Sequence, residues 1–183
     1  MTRFFIEGAA FSGPTLCLTG ENLQHAKVLR LKIGEPVLIC DGTGQEALCT
    51  VSAATPTQME LTVAERRRSQ AEAGVEVSVY VAFPKADKLE HVIQKATELG
   101  AFEIVVFPSA RCVSRPDEKS LKKKQERWQK IAASAAQQSG RGRIPQVVVL
   151  DSFQEALSQA AKADKALLFY ENDHATTLRM ALE

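Results

Sequence analysis

Paired cysteines are missing from this chain. Cys17, Cys40, Cys49 and Cys112 form no C-x-x-C spacing. Free thiols in a reducing compartment are therefore a better reading than a zinc site or a disulfide. Three histidines are too few and too scattered to outline a metal site. No apolar run reaches the ~20 residues that cross a bilayer, so no membrane association is expected. The opening Met1-Thr2-Arg3-Phe4-Phe5-Ile6-Glu7-Gly8 lacks the apolar stretch and cleavage site of a secretory signal, and a cytoplasmic location is expected. Catalytic signatures are equally scarce. The sequence has no G-x-G-x-x-G, P-loop, G-x-S-x-G or H-E-x-x-H, and no carboxylate pair at suggestive spacing. Internal repeats and low-complexity segments are also missing.

What is present is a strand–helix–strand unit with an unusual first turn. Val75, Val77, Val79, Val81 and Phe83 alternate as a strand. Pro84-Lys85-Ala86-Asp87-Lys88 then opens a helix, with Asp87 as N-cap and Glu90 in capping-box position. Leu89, Val92, Ile93, Ala96 and Leu99 follow at helical spacing, and Gly100 suits the C′ position. Ile104 to Phe107 is the next strand. Further along, the spacing predicts a helix over roughly 120–139, a strand over 147–150, a helix capped by Ser152, and a fourth strand over 166–170. Trp128 and Phe153 fall at core positions, and His91 reads as a packed histidine. This alternation implies a parallel sheet.

Residues 1–70 follow a different pattern, with short strands separated by turns. Candidates lie at 3–6, 15–18, 37–40, 47–51 and 59–63, with one short helix over 21–31. Regular short strands predict a small β-barrel, ending near Arg66-Arg67-Arg68. The polar stretch 69–74 reads as a linker. Two domains are expected, 1–70 and 75–183.

With 45% hydrophobic residues the chain can bury a core, and its net charge is only +1. That near-neutrality hides segregation. Residues 111–143 hold ten Lys/Arg against three carboxylates, a local +7. Such concentration points to a polyanionic partner bound at one place. Arg141 and Arg143, on a glycine-bearing loop after a helix, are placed to clamp phosphates or stack on a base. The plainer alternative is capping of that helix's carbonyls. Arg111 and Arg115 follow a strand's carboxyl end, where open α/β sheets bind ligands, and a solvated loop explains them equally well. Lys85 and Lys88 occupy another such end, with pairing to Asp87 or Glu90 as the alternative. Arg3, His25, Lys27 and Arg30 make a plausible RNA platform on the barrel.

Taken in order, these segments resemble a known family. The shared motifs are Arg3-Phe4-Phe5, His25-Ala26-Lys27-Val28-Leu29-Arg30, Asp41-Gly42-Thr43-Gly44, Lys85-Ala86-Asp87-Lys88 and Gln94 to Gly100. Arg127-Trp128-Gln129-Lys130-Ile131 and Gln138-Ser139-Gly140-Arg141 to Pro145 continue the series. The chain resembles the RsmE family of ribosomal RNA methyltransferases, which methylate N3 of a uridine in small-subunit rRNA. The resemblance implies a PUA-like barrel that helps hold RNA, joined to a SPOUT-type α/β knot domain. It also implies S-adenosylmethionine as cofactor, bound in the knot, and a homodimer. The family's Gly-Pro-Glu-Gly-Gly turn and Leu-Gly-x-x-Ile-Leu-Arg segment do not occur in these 183 residues. Phe169, Tyr170 and Glu171 match the strand that leads into the knot and are the cofactor-contact candidates. The knot half is therefore expected to lie outside this chain, leaving it catalytically inactive as given. A non-catalytic RNA-binding or ribosome-associated module is the alternative reading, and an unrelated α/β enzyme a third.

Overall fold

A computed structural model describes residues 1–6, 8–85, 88–112, 118–169 and 176–182. Strands β1 (Thr2–Phe5), β2 (Thr15–Leu18), β3 (Pro36–Cys40), β4 (Gln45–Ala54) and β5 (Met59–Arg68) form one sheet, in the order β1-β3-β4-β5-β2. Alternation builds its core: Leu16 and Leu18 of β2, and Ala47, Cys49 and Val51 of β4, turn inward onto Phe4, Ile39 and Leu61. The long β4–β5 ladder slips register between Leu48 and Cys49 and again between Val51 and Ala53. Such irregularities bend the strand and deepen its twist. The sheet curls into a half-barrel. No ladder joins its edge strands β1 and β2 among the described residues, so the expected barrel remains open. Helix α1 (Gly20–Val28) closes over the core with Leu23 and Ala26.

The second sheet is parallel, ordered β6 (Ser78–Ala82), β7 (Glu103–Phe107), β8 (Gln146–Val149). Helices α2 (Lys88–Glu98) and α3 (Glu118–Ser139) cover one face, where Leu89, Ile93, Trp128 and Ala132 meet Ile104 and Val106. The alternate β7 residues, Val105 and Phe107, face Ala156 of α4 (Phe153–Ala160) on the other side. A central strand buried on both faces is what a near-continuous apolar run produces. Ser152 Oγ accepts the Glu155 N–H at 3.1 Å, and Glu155 accepts the Asp151 N–H at 3.0 Å, so α4 begins on reciprocal caps. Asp87, the expected cap of α2, lies outside the described residues.

Four expectations are corrected. Leu99 belongs to the apolar periodicity of α2 but is 87% exposed, because the helix ends before it. Phe153 is half-exposed, with its ring 5.6 Å from that of Phe107, rather than fully in the core. His91 is exposed on α2. Residues 166–169 form no strand and lie exposed, while Tyr170 lies outside the described residues. An apolar run becomes a strand only when a neighbouring strand takes up its backbone groups. A short helix α5 (Leu178–Leu182) follows.

Candidate nucleic-acid interface

Three helices end in the same backbone motif, and the residues at those ends organise the site. After α2, the Gly100 and Ala101 N–H groups reach back to Thr97 and Ala96 carbonyls, and Gly100 has φ +100°. After α3, Gly140 and Arg141 repeat the pattern onto Gln137 and Ala136, with Gly140 at φ +77°. Glycine is the expected occupant of these left-handed positions. After α1 the same bonds run from Arg30 to Lys27 and from Leu31 to Ala26, yet the left-handed position is Arg30, at φ +57°. A side chain there costs about 1–2 kcal/mol over glycine.

Arg141 leaves the end of α3 and turns inward. It is 3% exposed. Its Nη1 donates to the Thr97 carbonyl at 3.1 Å and the Ala101 carbonyl at 2.7 Å, and its Nη2 to Glu72 at 2.6 Å. Arg141, expected to grip RNA, has its guanidinium buried and committed to these partners. It caps a helix after all, but the helix is α2 rather than its own. The other Glu72 oxygen accepts the Gly142 and Arg143 N–H groups at 2.9 and 3.0 Å. Burial works to raise the Glu72 carboxyl. The Arg141 hydrogen bond and charge and the two backbone donors outweigh it and hold the group below its ordinary value.

The same loop docks on the half-barrel. Gly44 N–H donates to the Gly142 carbonyl at 3.2 Å, and Ile144 N–H to the Gly42 carbonyl at 3.0 Å. Asp41 shapes the receiving turn by accepting the Thr43 and Gln45 N–H groups at 2.8 and 3.0 Å. Arg3 Nη1 donates to the Arg141 carbonyl at 3.1 Å and lies 3.0 Å from Cys40 Sγ and 3.3 Å from Glu46. Glu46 also pairs with Arg67 at 2.9 Å. Arg3, expected on an RNA platform, is therefore mostly a junction residue. Burial pushes the neighbouring Cys40 thiol up to about 11, against the pull of Arg3.

The remaining expected cations are distributed over the surface. Lys27 and Arg30 are exposed at the end of α1, where Lys27 Nζ donates to the Pro56 carbonyl at 2.7 Å. His25 is exposed, edge-on to Phe4 at 5.6 Å and 3.5 Å from Gln137. Lys85 and Lys88 are exposed at the carboxyl end of β6, and Arg111 is exposed after β7. Arg115 lies outside the described residues. Arg143 is half-buried, its guanidinium 4.5 Å over the Phe102 ring. Sequence reasoning missed Glu72 and Phe102. Glu72 sat in a stretch that reads as linker, with no local signal of its partner.

Of the cofactor candidates, Tyr170 and Glu171 lie outside the described residues. Phe169 is 78% exposed. No group of metal-ligating side chains occurs among the described residues.

A curled half-barrel locked onto a parallel α/β sheet is the architecture of PUA-bearing RNA methyltransferases of the SPOUT type. Residues 71–183 match the RNA methyltransferase domain family, and residues 18–64 the RNA methyltransferase PUA domain. Ribosomal RNA small subunit methyltransferase E of Bacillus subtilis is 38% identical over 93% of this chain, which spans 68% of that protein. The Mycobacterium bovis protein of the same name is 34% identical over 79% of this chain and 55% of its own. A crystal structure of the Neisseria gonorrhoeae enzyme of that name, bound to S-adenosyl methionine, superposes with TM-score 0.76. It is 28% identical, over 87% of this chain and 66% of that one. The chain belongs to the RsmE family of ribosomal RNA small-subunit methyltransferases.

Proposed function

We propose that this protein methylates N3 of a uridine in small-subunit ribosomal RNA, with S-adenosylmethionine as methyl donor, and acts as a homodimer in the cytoplasm. Family membership supports the reaction class, and the cofactor named with the Neisseria structure supports the donor. The half-barrel and the parallel sheet act as two domains, 1–70 and 75–183, that together hold the RNA. Lys27 and Arg30 contact phosphate from the half-barrel, while Lys85, Lys88 and Arg111 do so from the carboxyl ends of β6 and β7. Arg143 contacts the RNA between them. Arg3 and Arg141 support this surface from the junction, and His25 lies exposed on α1.

One observation carries the RNA reading. At the third helix end, the chain keeps a strained arginine where the other two have glycine. Strain retained at one position calls for a gain elsewhere, and an exposed cation beside Lys27 supplies it as a phosphate contact. Arg30→Gly should therefore raise thermal stability while weakening binding of a small-subunit rRNA fragment and lowering the salt slope by roughly one. Unchanged affinity would remove Arg30 from the interface. The nucleoside claim is checked in cells deleted for the gene, whose small-subunit rRNA should lose one N3-methyluridine by mass spectrometry. An unaltered N3-methyluridine content would overturn it.

A further inference from the structure

A cleft of about 410 Å³ opens between the half-barrel and the parallel sheet. The turn at Thr43 to Gln45 and the end of β5 form one wall, and Gly100, Phe102 and Arg143 the other. Its size falls in the ~300–1,000 Å³ range of small-ligand sites. We propose that this cleft seats one unpaired ribonucleotide of the RNA, its base stacked on Arg143 and its phosphate held by Arg68. The proposal rests on RNA being the substrate.

The arginines of this region divide sharply. Arg3, Arg66, Arg67 and Arg141 each donate to a carboxylate or carbonyl. Arg68 and Arg143, which line the cleft, have no acceptor for their guanidinium N–H groups among the described residues. Arg141 lines it too and keeps a buried Nε–H without a partner there. Unspent donors converging on one cleft are what a polar ligand needs.

The kind of ligand follows from Arg143 and the local charge. Its guanidinium lies on Phe102 and lines the cleft, and nucleobases stack on such planar groups. Three arginines against Glu72 and Glu76 leave the lining at +1. That suits a single phosphate diester better than a triphosphate. Paired RNA hides its base faces within the helix, so the nucleotide must be unpaired.

The test uses a single-stranded RNA carrying one 4-thiouridine, with fluorescence anisotropy and mapped photo-crosslinks as readouts. Wild type should bind, and the crosslink should fall on the peptides containing Phe102 or Thr43 to Gln45. Arg143→Gln and Arg143→Lys should each weaken binding about tenfold, the lysine variant with an unchanged salt slope, because it keeps the charge and loses the plane. Arg68→Gln should weaken binding and lower the slope by roughly one. Melting temperature of each variant shows that it is folded, and the lysine variant serves if the glutamine one is not. If Arg68 and Arg143 variants bind like wild type while Lys27→Gln binds less, the cleft assignment fails and the RNA reading stands. Crosslinks mapping away from the cleft also overturn it. If wild type binds no RNA, the RNA reading itself fails.

Discussion

At the residue scale, the Glu72–Arg141 pair decides most. Removing one partner of a buried pair leaves the other charge desolvated, at roughly 3–5 kcal/mol. Glu72→Ala should fall in that range by urea unfolding at pH 7, since it also strands the Gly142 and Arg143 N–H groups. The pH dependence has a definite sign. The folded carboxyl lies below the ordinary 4.5, so the unfolded chain binds the proton more readily. The contribution is complete above about 4.5 and disappears as pH falls through the folded value. The stability gap between wild type and Glu72→Ala should therefore shrink on acidification below 4.5, and a constant gap would assign the effect to packing. The cysteines give a second check. At pH 8 a thiol titrating near 11 is about one part in a thousand thiolate. Exposed Cys17 should react with a disulfide reagent well before buried Cys40.

At the element scale, the loop between α3 and β8 acts as the fastener, and glycine at one position is required by space alone. A Cβ on Gly142 would stand 2.4 Å from Ser69 Cβ, an atom fixed to the backbone of the opposite half. Gly142→Ala must push the half-barrel away from the sheet, costing about 1–3 kcal/mol as overpacking does. Its diagnostic is a lowered melting temperature that Ser69→Gly partly restores. Sheet edges are managed locally. Gln129 on α3 donates to the Pro145 carbonyl and accepts the Val147 N–H, each at 3.0 Å, so a helix side chain satisfies the outer edge of β8.

At the scale of the whole molecule, exposed apolar side chains gather late in the chain: Leu168, Phe169, Leu178, Met180 and Leu182. Surface of this kind marks a site of further packing. Light scattering tests the proposed dimer, which should run at twice the 20.0 kDa chain mass.

The sequence by itself determined the elements whose causes are local. Alternation specified β2 and β4, 3.6-residue periodicity specified α2 and α3, Ser152 with Glu155 specified the start of α4, and glycines specified two helix ends. It also carried the family, through motifs in a fixed order. It did not determine what those motifs do. Arg141 and Arg143 stand two residues apart in the densest positive segment and look alike in sequence. The tertiary structure buries the first against Glu72 and the end of α2, 69 residues and about 40 residues away, and leaves the second stacked on Phe102 at a cleft. Charge and spacing are properties of a segment. Burial and partnership are set by which distant segments meet there, and no local pattern encodes that meeting. For the same reason the apolar run at 166–169 reads as a strand and is not one, since a strand exists only with a partner for its backbone.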